Sequence, residues 1–107
     1  MDKTMLGLIE TVKINGKNVK AKIDTGADRS SICRSLINLL SLTPTGKKRS
    51  IRSSTGKEDR EVYLAELIIQ GKKFTVEFTA AKREHMNYKV LIGKDILKNG
   101  FLIDPKK

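Results

Sequence analysis

The chain has 107 residues, with 22 lysines and arginines against 12 aspartates and glutamates, which gives a formal net charge of +10 and a pI near 9.9. This length predicts one domain over residues 1–107, and the 38% apolar share argues against disorder. No apolar run approaches the roughly 20 residues of a membrane helix, and no secretory signal pattern is visible, so we expect a soluble cytoplasmic protein without membrane attachment.

The chain has one cysteine, Cys33, and one histidine, His85. A single cysteine excludes an intrachain disulfide, and the pair cannot supply the three or four Cys/His ligands usual for zinc. We therefore expect no metal and no cofactor, and we assign no role to His85. The strong positive charge favours an acidic partner, which could be a nucleic acid, an anionic surface or an acidic peptide.

Two alternating runs near the N-terminus predict a β-hairpin. Apolar and polar residues alternate over residues 6–14 and again over 19–23, on either side of Asn15-Gly16. Asn-Gly between alternating runs indicates a type I′ turn, because both central residues of that turn need positive φ. The second strand is predicted to end at Ile23-Asp24.

The apolar spacing then changes to that of a helix. Ile32, Cys33, Leu36, Ile37 and Leu40 fall on one helical stripe, so we predict a short amphipathic helix from Asp28 or Ser30 to Leu40. Cys33 on that stripe is interpreted as a small buried apolar residue and not as a nucleophile.

The rest of the chain is again rich in strand patterns. Residues 42–60 are polar and aperiodic, which indicates an exposed loop or the tip of a polar hairpin. Residues 62–69 and 74–78 predict a second hairpin around Gln70-Gly71-Lys72. Residues 90–92 predict a buried strand, 94–99 a short helix ending at Gly100, and 101–103 a last strand. The predicted fold class is mainly β, a small closed barrel with one or two short helices.

The residues Asp24-Thr25-Gly26-Ala27 directly follow a predicted strand. They would place a carboxylate at a strand end, beside a glycine that allows close backbone approach. An Asx-type turn, in which the aspartate bonds its own backbone ahead of the next element, is the structural alternative. Taken alone, this motif favours the turn.

The chain resembles the retropepsin-like aspartic proteases in several separated segments. The first is Ala21-Lys22-Ile23-Asp24-Thr25-Gly26-Ala27-Asp28, and the second is Val90-Leu91-Ile92-Gly93-Lys94-Asp95-Ile96-Leu97. Further segments, Arg52-Ser53-Ser54-Thr55-Gly56, Met86 to Gly93 and Phe101 to Pro105, are similar to a bacterial and archaeal subgroup labelled ATP-dependent zinc proteases. Neither a His-Glu-x-x-His motif nor a Gly-x-x-x-x-Gly-Lys-Ser/Thr loop occurs, so we predict neither zinc nor ATP.

The resemblance implies a retropepsin-like barrel and an aspartic peptidase that works as a homodimer. Since the chain has one Asp-Thr-Gly, two copies would each contribute Asp24 to the catalytic pair. By the same resemblance Thr25 would hydrogen-bond across the two active-site loops, and Gly26 would bring its backbone close to the carboxylates. Asp28 and Lys94 stand where the family often pairs aspartate with arginine, and a lysine cannot form the bidentate fork. Asp95 is interpreted as a helix cap.

The resemblance also implies where substrate binds. Residues 49–60 would form the flap that closes over a peptide, with Ala27, Asp28, Arg52, Ser53, Ser54, Thr55 and Gly56 as substrate-binding residues. A solvated polar loop is the alternative on composition. The cations of this segment and of the two residues before it, Lys47, Lys48, Arg49, Arg52, Lys57 and Arg60, would favour an acidic peptide. Because the subgroup is associated with glutamate-adding ligases, removal of glutamate tails is a candidate activity.

Two other classes of function stay open at this point. One is a non-catalytic dimer that uses the same cleft to bind an acidic peptide, since a protease fold does not establish proteolysis. The other is nucleic-acid binding through the basic surface. With two tyrosines, and with three phenylalanines at predicted core positions, an aromatic stacking platform is not expected, which argues against nucleic acid as the partner.

Overall fold

The computed structural model describes residues 3–53, 56–82 and 86–107. Within them nine strands and two short helices follow one another: β1 (Thr4–Leu6), β2 (Ile9–Ile14), β3 (Lys17–Ile23), β4 (Ser31–Cys33), α1 (Arg34–Leu39), β5 (Thr43–Ser53), β6 (Gly56–Ile69), β7 (Lys72–Ala81), β8 (Val90–Ile92), α2 (Lys94–Leu97) and β9 (Phe101–Ile103). No helix in these ranges has the length and apolar content needed to cross a membrane.

Six strands form a closed barrel, which confirms the predicted fold class. The hydrogen-bonded order is β2-β3-β8-β4-β7-β6, and antiparallel pairing of β6 with β2 closes the ring. Strand β5 extends the sheet beyond β6. The barrel encloses fully buried side chains such as Ile14, Ile32, Leu67, Phe78 and Ile92. Burying one such side chain contributes about 1.5–3 kcal/mol, so this interior is a main source of the stability that holds the loops in place.

Both predicted hairpins are present, and their turns have the expected backbone. Asn15 and Gly16 have φ of 49° and 85°, and Gln70 and Gly71 have φ of 48° and 76°. Positive φ at both central residues matches the right-handed twist of the flanking strands. The first run, however, breaks at Gly7 and Leu8, so β1 pairs with β9 in parallel while β2 joins the barrel. Leu8, one of the apolar positions of the predicted alternating run, is 49% exposed.

The predicted helix from Asp28 or Ser30 to Leu40 is wrong at its start. Residues Ser31 to Cys33 form β4, parallel to β7 and antiparallel to β8, and the helix α1 spans Arg34–Leu39. Ile32 and Cys33 are fully buried as strand residues. Sheet pairing on both sides outweighs the local helical spacing, because it satisfies the backbone of a segment that lies inside the barrel wall. The burial predicted for Cys33 is confirmed.

Of residues 42–60, those at 43–53 and 56–60 form strand, which corrects the loop alternative and supports the hairpin. Strands β5 and β6 make a long antiparallel ribbon, with a register shift between Pro44 and Lys48. The polar sequence arises because much of this ribbon projects beyond the barrel and has solvent-exposed side chains. Ser54 and Thr55, at the predicted tip, lie outside the described residues, as does His85.

Candidate active site

Asp24 lies where β3 leaves the barrel. Its backbone N–H donates to the Ile92 carbonyl at 2.9 Å, and its Oδ1 accepts the Gly26 N–H at 2.8 Å. The second bond spans two residues and is the Asx-turn contact considered for this motif. Asp24 itself is half-buried, and Thr25 and Gly26 are exposed. The turn therefore fixes the Asp24 carboxylate at the start of the loop. Thr25 and Gly26 remain exposed, so a second molecule can contact them.

The first residues of α2 hydrogen-bond to the backbone of this loop. The Lys94 N–H donates to the Ala27 carbonyl at 2.8 Å, and the Asp95 N–H donates to the Asp28 carbonyl at 3.2 Å. Gly93 permits this approach: a methyl group added there would lie 2.8 Å from the Ala27 carbonyl oxygen and from the carbonyl carbon and oxygen of Arg29. The backbone of the Asp-Thr-Gly loop is thereby tied to the end of β8.

The Asp95 carboxylate makes more hydrogen bonds to Ser30, at the end of the loop, than to its own helix α2. Its Oδ1 accepts the Ser30 hydroxyl at 2.8 Å, and its Oδ2 accepts the Ser30 N–H at 3.1 Å. The buried Ser30 hydroxyl in turn accepts the Gly93 N–H at 3.1 Å. The predicted helix cap is wrong as the main role, because Gly93 is the N-cap residue and only the Ile96 N–H bonds Asp95 from within α2.

Asp28 and Lys94 meet as the resemblance implied. Lys94 Nζ lies 3.1 Å from Asp28 Oδ1, and the two side chains are 55% and 86% exposed. An ion pair this exposed contributes at most about 1 kcal/mol. The rigid connection between the loop and α2 therefore comes from the Ser30–Asp95 bonds and the backbone bonds, and the ion pair adds little.

A cleft of about 700 Å³ lies between the Asp-Thr-Gly loop and the β5–β6 hairpin. The loop, the hairpin and the barrel wall contribute its lining: Gly26, Ala27, Asp28, Arg29, Ser31, Lys48, Arg49, Ser50, Ile51, Arg52, Arg60, Thr79 and Leu91. A groove of this volume is of the size that holds small ligands or a few residues of a peptide.

The structure brings together part of the predicted site. Gly26, Ala27, Asp28 and Arg52 line the cleft, whereas Asp24 lies at the start of the same loop and is not itself a lining residue. Other predicted residues fall elsewhere or cannot be placed: Thr25 and Gly56 are not among the lining residues, the side chain of Ser53 is not described, and Ser54 and Thr55 lie outside the described ranges.

The cleft is strongly cationic. Its lining includes one carboxylate, Asp28, against five cations: Arg29, Lys48, Arg49, Arg52 and Arg60. Two carboxylates next to the lining offset part of this charge. The cations Lys47 and Arg49 hold the pKa of Glu77 below its usual range by hydrogen bonding, and Arg60 does the same for the pKa of Glu58.

Some lining residues were not singled out from the sequence. Ser31, Thr79 and Leu91 reach the cleft because β4 pairs with β7 and β8 at those positions. Arg29 belongs to the loop itself and could have been found from its place beside Asp28. The partly buried Ser30–Asp95 contact joins residues 65 positions apart, and no local sequence pattern predicts it. Among the described residues no group of three or more His, Cys, Asp or Glu side chains is arranged to hold a metal.

The chain matches the family model described as "gag-polyprotein putative aspartyl protease" over residues 10–99. Over 61 residues it is 33% identical to a "Probable alpha-L-glutamate ligase" of Shewanella pealeana, covering 56% of this chain and 13% of that protein. A protein of the same description from Shewanella halifaxensis matches over 61 residues with 33% identity. The chain thus spans 13% of the length of these curated relatives.

Solved structures with the same fold include viral proteases and a bacterial protein. A Legionella pneumophila protein of unknown function (DUF785) has a TM-score of 0.71 at 20% identity, covering 97% of this chain and 95% of that chain. The EIAV protease with the inhibitor HBY-793 has a TM-score of 0.69 at 21% identity, covering 85% of each chain. The simian foamy virus protease has a TM-score of 0.64 at 21% identity, covering 84% of this chain and 91% of that chain.

Proposed function

Because the chain belongs to the gag-polyprotein aspartyl protease family, we propose that it is an aspartic peptidase whose catalytic carboxylate is Asp24. One observation carries the proposal. The Asp-Thr-Gly loop leaves a barrel strand beside a cleft lined by that loop and by the β5–β6 hairpin, with the Asp24 carboxylate held by the Gly26 N–H at 2.8 Å. A carboxylate fixed on a loop that lines a peptide-sized groove is suited to activate water for attack on a bound peptide.

The proposed enzyme is a homodimer. An aspartic peptidase needs two carboxylates that share one proton, since like charges about 3 Å apart cannot both ionise cheaply. The sequence has one Asp-Thr-Gly, so Asp24 of two copies would supply the pair across a two-fold axis. Thr25 would hydrogen-bond between the two loops, and its exposed position is compatible with that contact. Gly26 would keep the backbone close to both carboxylates.

In the proposed reaction the ionised Asp24 takes a proton from water while the water oxygen attacks the carbonyl carbon of the peptide. The protonated Asp24 of the other copy donates its proton to the carbonyl oxygen, which gives a tetrahedral intermediate. When this intermediate collapses, the C–N bond breaks, the protonated carboxyl of the pair gives its proton to the leaving amine, and the ionised one takes a proton from a hydroxyl of the intermediate, which restores the shared proton. A monomer would lack one of the two roles and would be inactive.

The proposed substrate is an acidic, glutamate-rich peptide. Ala27, Asp28, and residues 52–56 would contact it, and the five cations of the cleft lining would attract its carboxylates. The similarity to the Shewanella proteins described as probable glutamate ligases supports a glutamate-containing substrate. We propose the cytoplasm as the location, and one domain over residues 1–107.

A second candidate function is a dimeric module that binds acidic peptides without cleaving them. The cationic lining of the cleft favours it, because that feature does not depend on the Asp24 pair. The two candidates differ in a single readout, which is whether a bound acidic peptide is hydrolysed.

The test compares the wild-type protein with Asp24→Asn, using Asp59→Asn as a control that removes an equal charge from an exposed position on β6. Cleavage of a mixed peptide library and of oligoglutamate is followed by mass spectrometry from acidic to neutral pH, and sedimentation gives the oligomeric state. We expect a dimer that cleaves, an Asp24→Asn dimer that binds without cleaving, and an Asp59→Asn protein that cleaves like the wild type.

Other outcomes would refute parts of this proposal. Cleavage retained by a folded Asp24→Asn dimer would refute the assigned chemistry. A wild-type dimer that binds oligoglutamate but cleaves nothing would favour the binding module. A protein that stays monomeric while it cleaves would refute the shared pair.

A further inference from the structure

Glu77 connects the β5 strand to β7 across the intervening strand β6. On β7 it pairs with Leu64 of β6, and its carboxylate accepts Lys47 Nζ at 2.6 Å and Arg49 Nη2 at 2.5 Å. Both cations lie on β5, which within the described residues pairs with β6 and with no other strand. The Glu77 carboxylate thus pairs with two cations, Lys47 and Arg49. These three side chains, called the Glu77 cluster below, retain a net positive charge.

Arg49 stands directly opposite Arg60 in the β5–β6 ribbon. Residues in register share a face of the sheet, and like charges in that arrangement repel each other. Both arginines line the cleft. The charge of Arg60 is offset by Glu58 on its own strand, whereas Arg49 shares Glu77 with Lys47. The uncompensated charge at this point of the cleft wall therefore belongs to the Glu77 cluster.

Arg49 also has an unsatisfied donor. Its Nε is buried and has no hydrogen-bond partner among the described residues, while its Nη2 is held by Glu77. A buried N–H without an acceptor costs free energy, and native structures contain few of them. A guanidinium carries its donors in one plane and matches the two oxygens of a carboxylate, which a lysine cannot do.

From these observations we infer that Arg49 is a specificity-determining residue that binds a carboxylate side chain of the peptide in the cleft. The inference rests on the acidic substrate class proposed above and adds the residue that recognises the acidic side chain. Glu77 holds the guanidinium at the cleft wall. An incoming carboxylate supplies the missing negative charge and accepts hydrogen bonds from the part of the guanidinium that is exposed at the cleft wall.

Lys47 provides a matched control. It makes the same kind of ion pair with the same carboxylate and carries the same charge, but its side chain is 59% exposed and it is not among the cleft residues. Removing either cation changes the net charge equally. A difference between the two variants therefore reports a contact in the cleft and not the long-range attraction of a basic protein for an acidic peptide.

The experiment measures binding in the Asp24→Asn background, so that no turnover interferes. Fluorescence anisotropy gives the affinity for a labelled oligoglutamate peptide and for an oligoglutamine peptide of equal length, at physiological salt to limit non-specific attraction. We expect Arg49→Gln to weaken oligoglutamate binding by about tenfold, which corresponds to about 1.4 kcal/mol. We expect the affinity for oligoglutamine to stay within about twofold, and Lys47→Gln to change either affinity by less than about twofold.

Arg49→Lys tests geometry at constant charge. If the planar guanidinium matters, this variant loses most of the preference for oligoglutamate. Circular dichroism shows whether Arg49→Gln is folded, and Arg49→Lys provides a second test of the inference if it is not. Equal losses in Arg49→Gln and Lys47→Gln, or full binding by Arg49→Lys, would overturn the inference and leave the acidic substrate class standing. A parent protein that binds both peptides equally would overturn both.

Discussion

Gly93→Ala tests whether the end of β8 fixes the position of the Asp-Thr-Gly loop. The added methyl group would lie 2.8 Å from three backbone atoms of Ala27 and Arg29, whereas ordinary contact begins at 3.4 Å. The loop and β8 would have to separate by about 0.6 Å, the difference between those distances. The atoms in conflict are backbone, so no side-chain rotation relieves the overlap.

The separation acts against specific hydrogen bonds. The Ala27 carbonyl accepts the Lys94 N–H at 2.8 Å, and the Gly93 N–H donates to the Ser30 hydroxyl at 3.1 Å. Overpacking of a close contact typically costs about 1–3 kcal/mol. For a chain of this size that corresponds to a fall in Tm of roughly 5–20 °C. Because a misplacement of about 1 Å can cost about a hundredfold in rate, a loop displaced by about 0.6 Å would also lose roughly tenfold in any catalysis that depends on Asp24.

Urea and thermal unfolding followed by circular dichroism measure the stability, and the cleavage assay measures the second effect. Gly26→Ala is the matched control for stability, because its methyl group would meet only the Asp24 side-chain oxygen, at 3.2 Å. We expect it to cost less than about 1 kcal/mol, since a side chain can give way. A Gly93→Ala protein as stable as the wild type would refute the reasoning, because the loop would then be free to move away from β8.

Three further predictions concern carboxylates and their partners, each measured by urea unfolding. Glu10→Ala should cost about 2–3 kcal/mol, because the buried carboxylate accepts the Gly7 N–H at 2.6 Å and the Gln70 amide at 2.7 Å; a loss below about 0.5 kcal/mol would show that these bonds are dispensable. Lys94→Ala should change stability by less than about 1 kcal/mol, since its ion pair is exposed, and a larger loss would contradict that assignment. Glu77→Gln should destabilise at neutral pH by about 1 kcal/mol; because the pKa of Glu77 is lowered in the folded protein, this difference should fade as pH falls through that lowered pKa, and a difference that persists in acid would show that the ion pairs are not its source.

Much of the barrel could be predicted from local sequence. Alternation over β2, β3, β6 and β7 identifies strands, and Asn15-Gly16 and Gln70-Gly71 identify the turns that connect them. The place of the Asp-Thr-Gly loop follows from the same reasoning, because a carboxylate that directly follows a strand must lie where that strand ends, at one rim of the barrel. The Asp28–Lys94 contact was found through resemblance, as it joins two segments distant in the chain.

The start of the first helix could not be predicted locally. Ile32 and Cys33 fit a helical stripe, yet they are strand residues because β7 and β8 lie on either side of them. The role of Asp95 was misassigned for the same kind of reason. Its partner Ser30 is far away in sequence and is brought near only when β8 and the loop pack together.

By itself, then, the sequence determined the strands and turns of the two predicted hairpins and that a carboxylate follows β3, because periodicity and backbone preference act between neighbouring residues. The tertiary structure decided what the cleft presents. Arg49 faces Arg60 because of the β5–β6 register that follows the shift between Pro44 and Lys48, and it meets Glu77 because β7 lies beyond β6. Such pairings depend on strand register, which no local pattern encodes.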